Sequence, residues 1–199
     1  MTFECNVRPG TIDNEGMLAL KRGGCVLVKI GVETGNESLR KNVLNRRFSN
    51  EDIIRTFKIA KENGIKTFSF NMIGVPGESR ETIKETIDLN AEIKPDFMQI
   101  TIFFPYRGTV LGDLCFQKGY VDKHLEDSYM EKSSLRLPDI SRRTIEMAAR
   151  SFKFRVYWQY DKKKALKELV FRIKMFILSN PVLHLIIRKV YNLVKLVKN

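Results

Sequence analysis

Apolar residues along the first half of the chain form two kinds of segment that alternate with each other. Short apolar runs rich in Val, Ile and Phe, typical of strands, occupy residues 3–7, 25–33, 68–73 and 97–104. Between them, apolar residues recur at helical spacing, as in the stripe formed by Ile53, Ile54, Phe57 and Ala60. The crossovers are long enough for parallel strands joined by right-handed connections. The pattern predicts an α/β fold with a parallel sheet covered by helices, and a strand at residues 25–33 that is buried on both faces.

Residues that favour helix ends flank the helical segments. The predicted caps, whose side chains can accept hydrogen bonds from free backbone N–H groups, are Asp13 or Asn14, Asn36, Ser49 and Ser79. Asp52, three residues after Ser49, adds a weak capping box. The pairs Gly23-Gly24 and Asn63-Gly64 favour the ends of two helices. Periodicity and end signals therefore predict the same order, β-α-β-α-β-α-β.

The pattern changes after Gly119. Residues 120–139 are predicted to be irregular and polar. Three helices are predicted beyond Ser141, at residues 142–160, 164–178 and 182–197. We therefore divide the chain into an α/β domain at residues 1–120 and a helical, strongly basic extension at residues 121–199.

The extension carries almost all of the excess positive charge. The net charge is +12, and residues 150–199 contribute +11 of it, with thirteen Lys and Arg residues against Asp161 and Glu168. The segment 182–197 combines a broad apolar surface with basic residues, so it can lie in an anionic membrane interface or pack on the domain with its lysines in water. We favour packing. Nucleic acid is the least favoured partner, because no basic segment is interleaved with aromatic residues.

Cysteine and histidine positions exclude several kinds of site. Cys5, Cys25 and Cys115 are odd in number and widely separated, so their spacing indicates neither a disulfide framework nor a C-x-x-C metal site. His124 and His184 have no partner at metal-ligand spacing and are interpreted as structural. Residues 1–20 hold no apolar signal-peptide region, and no uncharged apolar run is long enough to span a membrane. We expect a cytoplasmic protein, with any membrane contact peripheral.

The segment 68–80, with the sequence FSFNMIGVPGESR, is the first candidate for chemistry. It reads as a buried strand, a Gly-Pro-Gly corner and a helix start. In parallel sheets covered by helices, ligands bind where strands run into helices. We therefore expect the functional site at this edge of the sheet.

Three motifs in order carry a family resemblance. They are GVETGNESL at residues 31–39, NMIGVPGES at residues 71–79 and FFPYRGT at residues 103–109, followed by Gly119. Together they resemble the later strands of a radical S-adenosylmethionine (SAM) enzyme barrel, closest to the branch that often carries a cobalamin-binding domain. The resemblance covers about residues 2–120. It implies a partial TIM-type (β/α) barrel of parallel strands with an α-helical C-terminal extension.

The resemblance also bears on the iron-sulfur cofactor. In this family a CxxxCxxC loop after the first strand holds three irons of a 4Fe-4S cluster, and the fourth iron chelates SAM; thiolates suit such clusters. This chain has no such motif. The resemblance therefore implies the C-terminal half of a radical SAM enzyme, with the cluster ligands on a missing N-terminal half or a partner chain. We expect a truncated or partial enzyme that is inactive alone.

In the intact enzyme, the resemblance implies reductive cleavage of SAM to drive radical chemistry on an unidentified small-molecule or lipid substrate. Cobalamin is a candidate further cofactor. Two alternatives stay open: a non-catalytic SAM-binding or assembly half of a split enzyme, and a scaffold held at a membrane surface by the basic tail. Each would leave the isolated chain without catalytic residues of its own.

Two charged residues resemble SAM contacts of the family. Glu33 ends the second strand, where a carboxylate can accept hydrogen bonds from ribose hydroxyls or from the SAM amino group. Arg46 resembles the basic residue that pairs with the SAM carboxylate, a task that suits a bidentate guanidinium. Arg47 could take the same role. For each of them, a solvated loop residue is the alternative.

The segment that resembles the adenine-binding passage consists of Gly74, Val75 and Pro76. A plain strand-to-helix turn is its alternative interpretation. Phe70 stands where some relatives have a ribose-binding Asp, and Asn71 is predicted to point to the opposite face. Arg8, at the end of the first strand, is a further candidate for the cofactor face.

Overall fold

The computed structural model describes residues 1–121 and 132–180 of the chain, and its centre is a four-stranded parallel sheet. The strands are β1 (Phe3–Val7), β2 (Cys25–Glu33), β3 (Lys66–Ile73) and β4 (Phe97–Ile102), and they lie side by side in chain order. The connecting helices are α1 (Asn14–Arg22), α2 (Glu37–Asn42), α3 (Asn50–Glu62) and α4 (Arg80–Ile93). The predicted α/β fold with parallel strands is confirmed.

Three further helices follow the sheet, namely α5 (Val110–Gln117), α6 (Arg142–Tyr160) and α7 (Lys162–Ser179). The bounds of α6 agree with the prediction. Helix α7 begins two residues earlier than predicted, because the Asp161 carboxylate caps it by accepting a 2.9 Å hydrogen bond from Lys164 N–H. Helix α5 was not predicted from the sequence; Thr109 caps it by accepting a hydrogen bond from Gly112 N–H.

The caps of the first four helices follow the sequence signals. Asp13, rather than Asn14, accepts the N-terminal hydrogen bond of α1. Asn36 caps α2, and Ser49 forms a complete capping box with Asp52 at the start of α3. Ser79 likewise caps α4. These local bonds set where each helix starts, and hence where the loops at the sheet edge begin.

Each strand buries one face against helices. In β2, Val28, Ile30 and Val32 are buried, whereas Lys29 and Glu33 are half-buried on the other face. The prediction that this strand is buried on both faces therefore holds only in part, because Leu27 is buried on that other face while Lys29 and Glu33 are not. On this less buried face, Lys29 Nζ pairs with Glu4 Oε2 at 2.7 Å.

Two hydrophobic clusters fill the covered side. The first joins β2 to α1 and α3, with Ile30 and Phe57 among its buried members. The second joins β3 and β4 to α4 and α6, with Ile73, Ile102 and Phe152 among its buried members. Helix α6 thus packs directly on the sheet.

The segment before α6 departs from its prediction. Residues 120–139 were predicted to be irregular and polar, but Leu135 and Leu137 are buried in the second cluster, and Val121 pairs with Leu135 in an antiparallel bridge. Alternating apolar residues in this segment follow the strand-like spacing that buries one side. The predicted helix at residues 182–197, and His124 and His184, lie outside the described residues.

No helix in the described part of the chain is both long and apolar enough to cross a bilayer.

Strand β1 forms one edge of the sheet, since it pairs only with β2 among the described residues. An unpaired edge presents free N–H and C=O groups to other chains. We expect the isolated chain to self-associate through this edge, with an average mass above that of a monomer in light scattering at high concentration. A monomer with slow amide exchange throughout β1 would contradict this prediction.

Candidate functional site

A cavity of about 1000 Å³ opens at the carboxyl ends of β3 and β4. This is the edge where parallel α/β sheets bind ligands. The cavity is mostly apolar, with a few polar groups at its rim. Its lining includes Leu44, Arg46, Met72, Pro76, Gly77, Thr101, Phe103, Tyr106, Leu111, Leu114 and Asp139. A site with apolar walls and few polar groups suits a small organic molecule.

The loop at residues 43–49 forms one wall of the cavity, and Arg40 holds this loop in place. The Arg40 side chain is fully buried. Its Nε and Nη2 donate to Thr34 O at 3.1 and 2.6 Å, and its Nη1 donates to Phe48 O at 3.0 Å. Nη2 also donates to Asn50 Oδ1. Arg40 therefore ties the end of β2 to both the loop and the start of α3.

Burial and charge oppose each other at Arg40. Burial lowers the pKa of its guanidinium, while the carboxylates of Glu37 and Glu33 raise it. The backbone of Arg40 also fixes the cavity loop, because its carbonyl accepts a 2.8 Å hydrogen bond from Arg46 N–H. Arg40 was not among the candidate residues of the sequence analysis. An Arg within a helical segment carries no sequence pattern that predicts its burial.

Glu33 ends β2 beside the cavity loop and adopts a positive φ of 64°. Its side chain is half-buried. Burial raises the pKa of its carboxyl, and Arg46 and Arg40 lower it. Glu33 is not one of the cavity-lining residues of the described chain. The structure nevertheless brings it within electrostatic range of Arg46, which does line the cavity.

The Gly-Pro-Gly corner reaches the cavity only through its second half. A Cβ on Gly74, whose φ is 83°, would lie 3.1 Å from Ile145 Cγ2 of α6, and Val75 is fully buried. Pro76 and the exposed Gly77 line the cavity instead. The sequence suggested Gly74, Val75 and Pro76 as a unit, but Gly74 faces α6 and Val75 is buried outside the cavity lining.

Glu78 is a buried acid directly behind this corner, and sequence reasoning missed it. Its carboxylate accepts a hydrogen bond from Gly74 N–H, while its Oε1 has no hydrogen-bond partner within the described residues. Burial raises the pKa of Glu78 to about 8, and the N–H groups of Gly74 and Val75 oppose that rise. An acid one residue after a turn glycine carries no sequence signal for burial.

The remaining selected residues lie elsewhere. Arg8 is exposed at the end of β1, where its carbonyl accepts a 2.8 Å hydrogen bond from Thr11 Oγ1, and it does not line the cavity. Arg47 is exposed and lines a smaller groove with Glu37 and Asp52. Of the two neighbouring arginines, only Arg46 faces the cavity.

Phe70 and Asn71, which lie in β3 before the corner, point to opposite faces of the sheet, as predicted. Phe70 stacks on Phe68 on the open face of the sheet, with ring centroids 4.8 Å apart. Asn71 is buried on the other face, where its Oδ1 accepts a 2.6 Å hydrogen bond from Asn90 Nδ2 of α4. The prediction that Asn71 points away from the candidate site is confirmed.

The cysteines do not form a set of cluster ligands. Cys5 and Cys25 lie on adjacent strands with their Sγ atoms 3.8 Å apart, and Cys115 is buried in the second hydrophobic cluster. The described residues contain no group of three or more His, Cys, Asp or Glu side chains that could hold a metal ion. These residues therefore do not fit a cysteine-ligated cluster, whereas the cavity fits a small cofactor with an anionic group.

Helix α5 contributes wall residues that the sequence interpretation did not anticipate. Leu111 and Leu114 line the cavity on this helix. The signal was present in Thr109, a residue type that caps helices, followed by apolar residues at helical spacing.

A family model and a curated relative match the chain in sequence. Residues 1–89 match the family model of the radical SAM superfamily. An uncharacterized methyltransferase from Pyrococcus horikoshii is 29% identical over 113 residues, which are 57% of this chain and 24% of that protein. The chain thus spans about a quarter of the length of this curated relative.

Two solved structures share the fold. Coproporphyrinogen III oxidase (HemN) from Escherichia coli, a radical SAM enzyme, matches with a TM-score of 0.57 and 19% identity over 79% of this chain and 32% of that chain. The radical SAM methyltransferase TsrM from Kitasatospora setae, with cobalamin and a 4Fe-4S cluster bound, matches with a TM-score of 0.54 and 20% identity over 73% of this chain and 29% of that chain.

At these identities the likeness concerns the fold alone. The predicted partial TIM-type barrel with a helical C-terminal part is confirmed. The match of residues 1–89 to the family model supports the radical SAM superfamily, and the two solved structures share the fold of parallel strands in chain order.

Proposed function

We propose that this chain is the C-terminal part of a radical SAM catalytic domain and that its cavity binds SAM. One observation carries the proposal: Arg46 and Pro76, two residues that resemble SAM contacts of the family, line the same cavity at the carboxyl edge of the sheet. Glu33, a third, lies within electrostatic range of Arg46. Arg46 and Pro76 are thirty positions apart in sequence, and Glu33 lies thirteen positions before Arg46, yet the fold brings all three to one edge of the sheet.

Each of these residues has a distinct task in the proposed complex. The Arg46 guanidinium donates paired hydrogen bonds to the SAM carboxylate. Glu33 accepts hydrogen bonds from the SAM amino group or ribose hydroxyls. Pro76 and Gly77 offer small surfaces against which the adenine packs. The apolar walls contributed by α5 keep water away from the reacting end of the cofactor.

The cofactors would supply the radical chemistry itself. A 4Fe-4S cluster, whose thiolate ligands would come from a preceding segment or a partner chain, would supply the reductive cleavage of SAM when bound. The protein of the present chain positions SAM and shields it. Cobalamin, the small-molecule or lipid substrate and the cytoplasmic location belong to the whole enzyme and are part of the same proposal.

A SAM titration of the purified chain tests the assignment of Arg46. We expect Arg46→Ala to raise the Kd for SAM about tenfold or more, because hydrogen bonds to charged groups contribute about 1.5–3 kcal/mol each. The matched control is Arg47→Ala, which removes a neighbouring exposed guanidinium that faces the smaller groove. Isothermal titration calorimetry measures both dissociation constants. An equal rise of the Kd for SAM in the two variants would contradict the proposal, and so would a parent chain that does not bind SAM.

A split enzyme is the second candidate, favoured by the absence of a CxxxCxxC motif from the chain's sequence. In that case the chain is a SAM-binding half that assembles with a partner carrying the cluster. Copurification should then yield the absorbance of a 4Fe-4S cluster only when the partner is present. Cluster absorbance in the chain purified alone under anaerobic conditions would rule this candidate out.

A further inference from the structure

Within residues 1–121 and 132–180, helix α7 packs mainly on its neighbour α6, and most of its side chains are exposed. Only Ala165 among its residues is buried, and the helix contacts α6. Glu168 and Arg172 form an ion pair along the helix, with Oε1 and Nε 2.9 Å apart. A helix of this length that is bound on one side leaves most of its surface to water or to a partner.

The open surface of α7 includes a continuous apolar face. Residues at helical spacing form it, namely Leu166, Leu169, Val170, Ile173, Phe176 and Ile177. Val170 and Phe176 are 64% and 63% exposed, and Ile173 is 51% exposed. Isolated apolar residues on a surface are ordinary, but a contiguous face of this kind marks an interaction site.

Strong positive charge lies beside this apolar face. The helix carries six basic residues against the single acid Glu168. Lys163, Lys167 and Lys174 share one face at helical spacing. At the α6 end, Lys162 Nζ lies 5.7 Å from the ring centroid of Trp158, which is also exposed. Tryptophan and lysine side by side are common where a protein meets a membrane interface.

We propose that the α7 surface binds an anionic lipid bilayer, with its apolar face in the headgroup boundary and its lysines on the lipid phosphates. Apolar burial and lysine attraction act together in such helices. The sequence after α7 continues in the same way, since residues 181–199 contain four Lys or Arg residues and no Asp or Glu. The proposed SAM-binding cavity would thereby be held at a membrane surface.

Charge and the exposed apolar face argue against two other partners for the α7 surface, a second copy of this chain and nucleic acid. A second copy of α7 would bring an equal net positive charge against the first, and the segment 181–199 is itself basic. Nucleic acid would satisfy the lysines but leave the exposed Val170, Ile173 and Phe176 in water. An anionic lipid surface alone satisfies both the apolar face and the charge.

Vesicle cosedimentation of the full chain tests this proposal. We expect binding to vesicles of phosphatidylcholine with about one third phosphatidylserine, weak binding to phosphatidylcholine alone, and loss of binding as salt rises. Val170→Asn with Ile173→Asn removes apolar surface without changing charge, and should weaken partitioning about tenfold or more. Lys163→Gln with Lys167→Gln keeps the apolar face, and should weaken partitioning by a similar factor.

The matched control is Lys58→Gln with Lys66→Gln, which removes two exposed lysines from α3 and β3. It lowers the total charge equally and should leave vesicle binding within about twofold of the parent chain, because the attraction is local. All altered residues are exposed, so circular dichroism should show parent-like folding.

Three results would overturn the proposal. One is equal binding to neutral and anionic vesicles. Another is an equal loss of vesicle binding in the lysine control and in the α7 lysine variant. The third is a vesicle-independent dimer that the apolar variant abolishes, with no vesicle binding, which would assign the face to a second copy. None of these readouts depends on SAM binding, so they stand apart from the test of Arg46.

Discussion

Replacing Arg40 with Met is expected to lower the free energy of unfolding by about 3–5 kcal/mol, the range seen when a buried, hydrogen-bonded charged group is removed. The substitution keeps much of the apolar stem but removes every donor of the guanidinium. Thr34 O, Phe48 O and Asn50 Oδ1 then lose their Arg40 donor inside the protein. Each unsatisfied buried acceptor costs about 1–3 kcal/mol.

Thermal unfolding measures this loss. A change of 1 kcal/mol shifts Tm by about 2–4 °C in a chain of this size, so the Arg40 variant should melt about 10 °C lower. Lys41→Met is the matched control, because the neighbouring Lys41 side chain is exposed. Its Tm should stay within about 2 °C of the parent value. Comparable melting of the two variants would show that the Arg40 bonds do not stabilise the chain.

Arg40 also links stability to the candidate site. Its carbonyl holds the backbone of Arg46, and its side chain holds the carbonyl of Phe48 at the other end of the cavity loop. A variant that still folds at low temperature should therefore bind SAM less tightly than the parent chain. This effect acts through the position of the loop, since Arg40 itself does not line the cavity.

The sequence predicted the sheet and its helices well because their signals are local. A helix cap such as Ser49 or Ser79 bonds to residues two or three positions away, and both caps form as predicted. Strand periodicity likewise depends on neighbours along one chain segment. What periodicity could not show is which face of β2 is covered, because that depends on helices elsewhere in the chain.

The sequence did not identify residues whose role depends on partners outside their own helix or strand. Arg40 bonds across the loop to Phe48 and Asn50, and Leu135 is buried only because α6 returns to the sheet. No pattern within a few residues of these positions reports such contacts.

The candidate site was predicted from one geometric rule, namely that successive parallel strands end at the same edge of the sheet. The rule located some of the cavity residues but not others. Arg46 and Pro76 meet because successive parallel strands end at the same edge of the sheet. Arg8 also follows a strand, yet β1 is the edge strand furthest from β4, and Arg8 does not reach this cavity. Gly74 lies at the correct edge but turns towards α6. Topology therefore predicts the neighbourhood, while side-chain direction needs the structure.

Stability should depend on pH through Glu78, and the sign follows from its burial. The folded chain holds the Glu78 proton up to a pKa of about 8, against 4.5 for a glutamate carboxyl in water. Between these values the folded state binds more protons than the unfolded state, so the free energy of unfolding falls as pH rises. Below about pH 4.5 the full contribution of the protonated Glu78 carboxyl to the free energy of unfolding is present, and above about pH 8 that contribution is lost. Each unit of pKa difference corresponds to about 1.4 kcal/mol.

Glu78→Gln should remove most of this dependence. The Gln amide oxygen can still accept the hydrogen bond from Gly74 N–H, but it does not ionise. Between pH 5 and pH 9, the free energy of unfolding of the parent chain should fall by on the order of 3 kcal/mol more than that of the variant. Urea unfolding at the two pH values measures this difference. Glu92→Gln, at an exposed position on α4, is the control and should keep the parent slope. Parallel slopes for the parent and the Glu78 variant would mean that Glu78 stays ionised in the fold, with its charge stabilised by the N–H groups of the Gly-Pro-Gly corner.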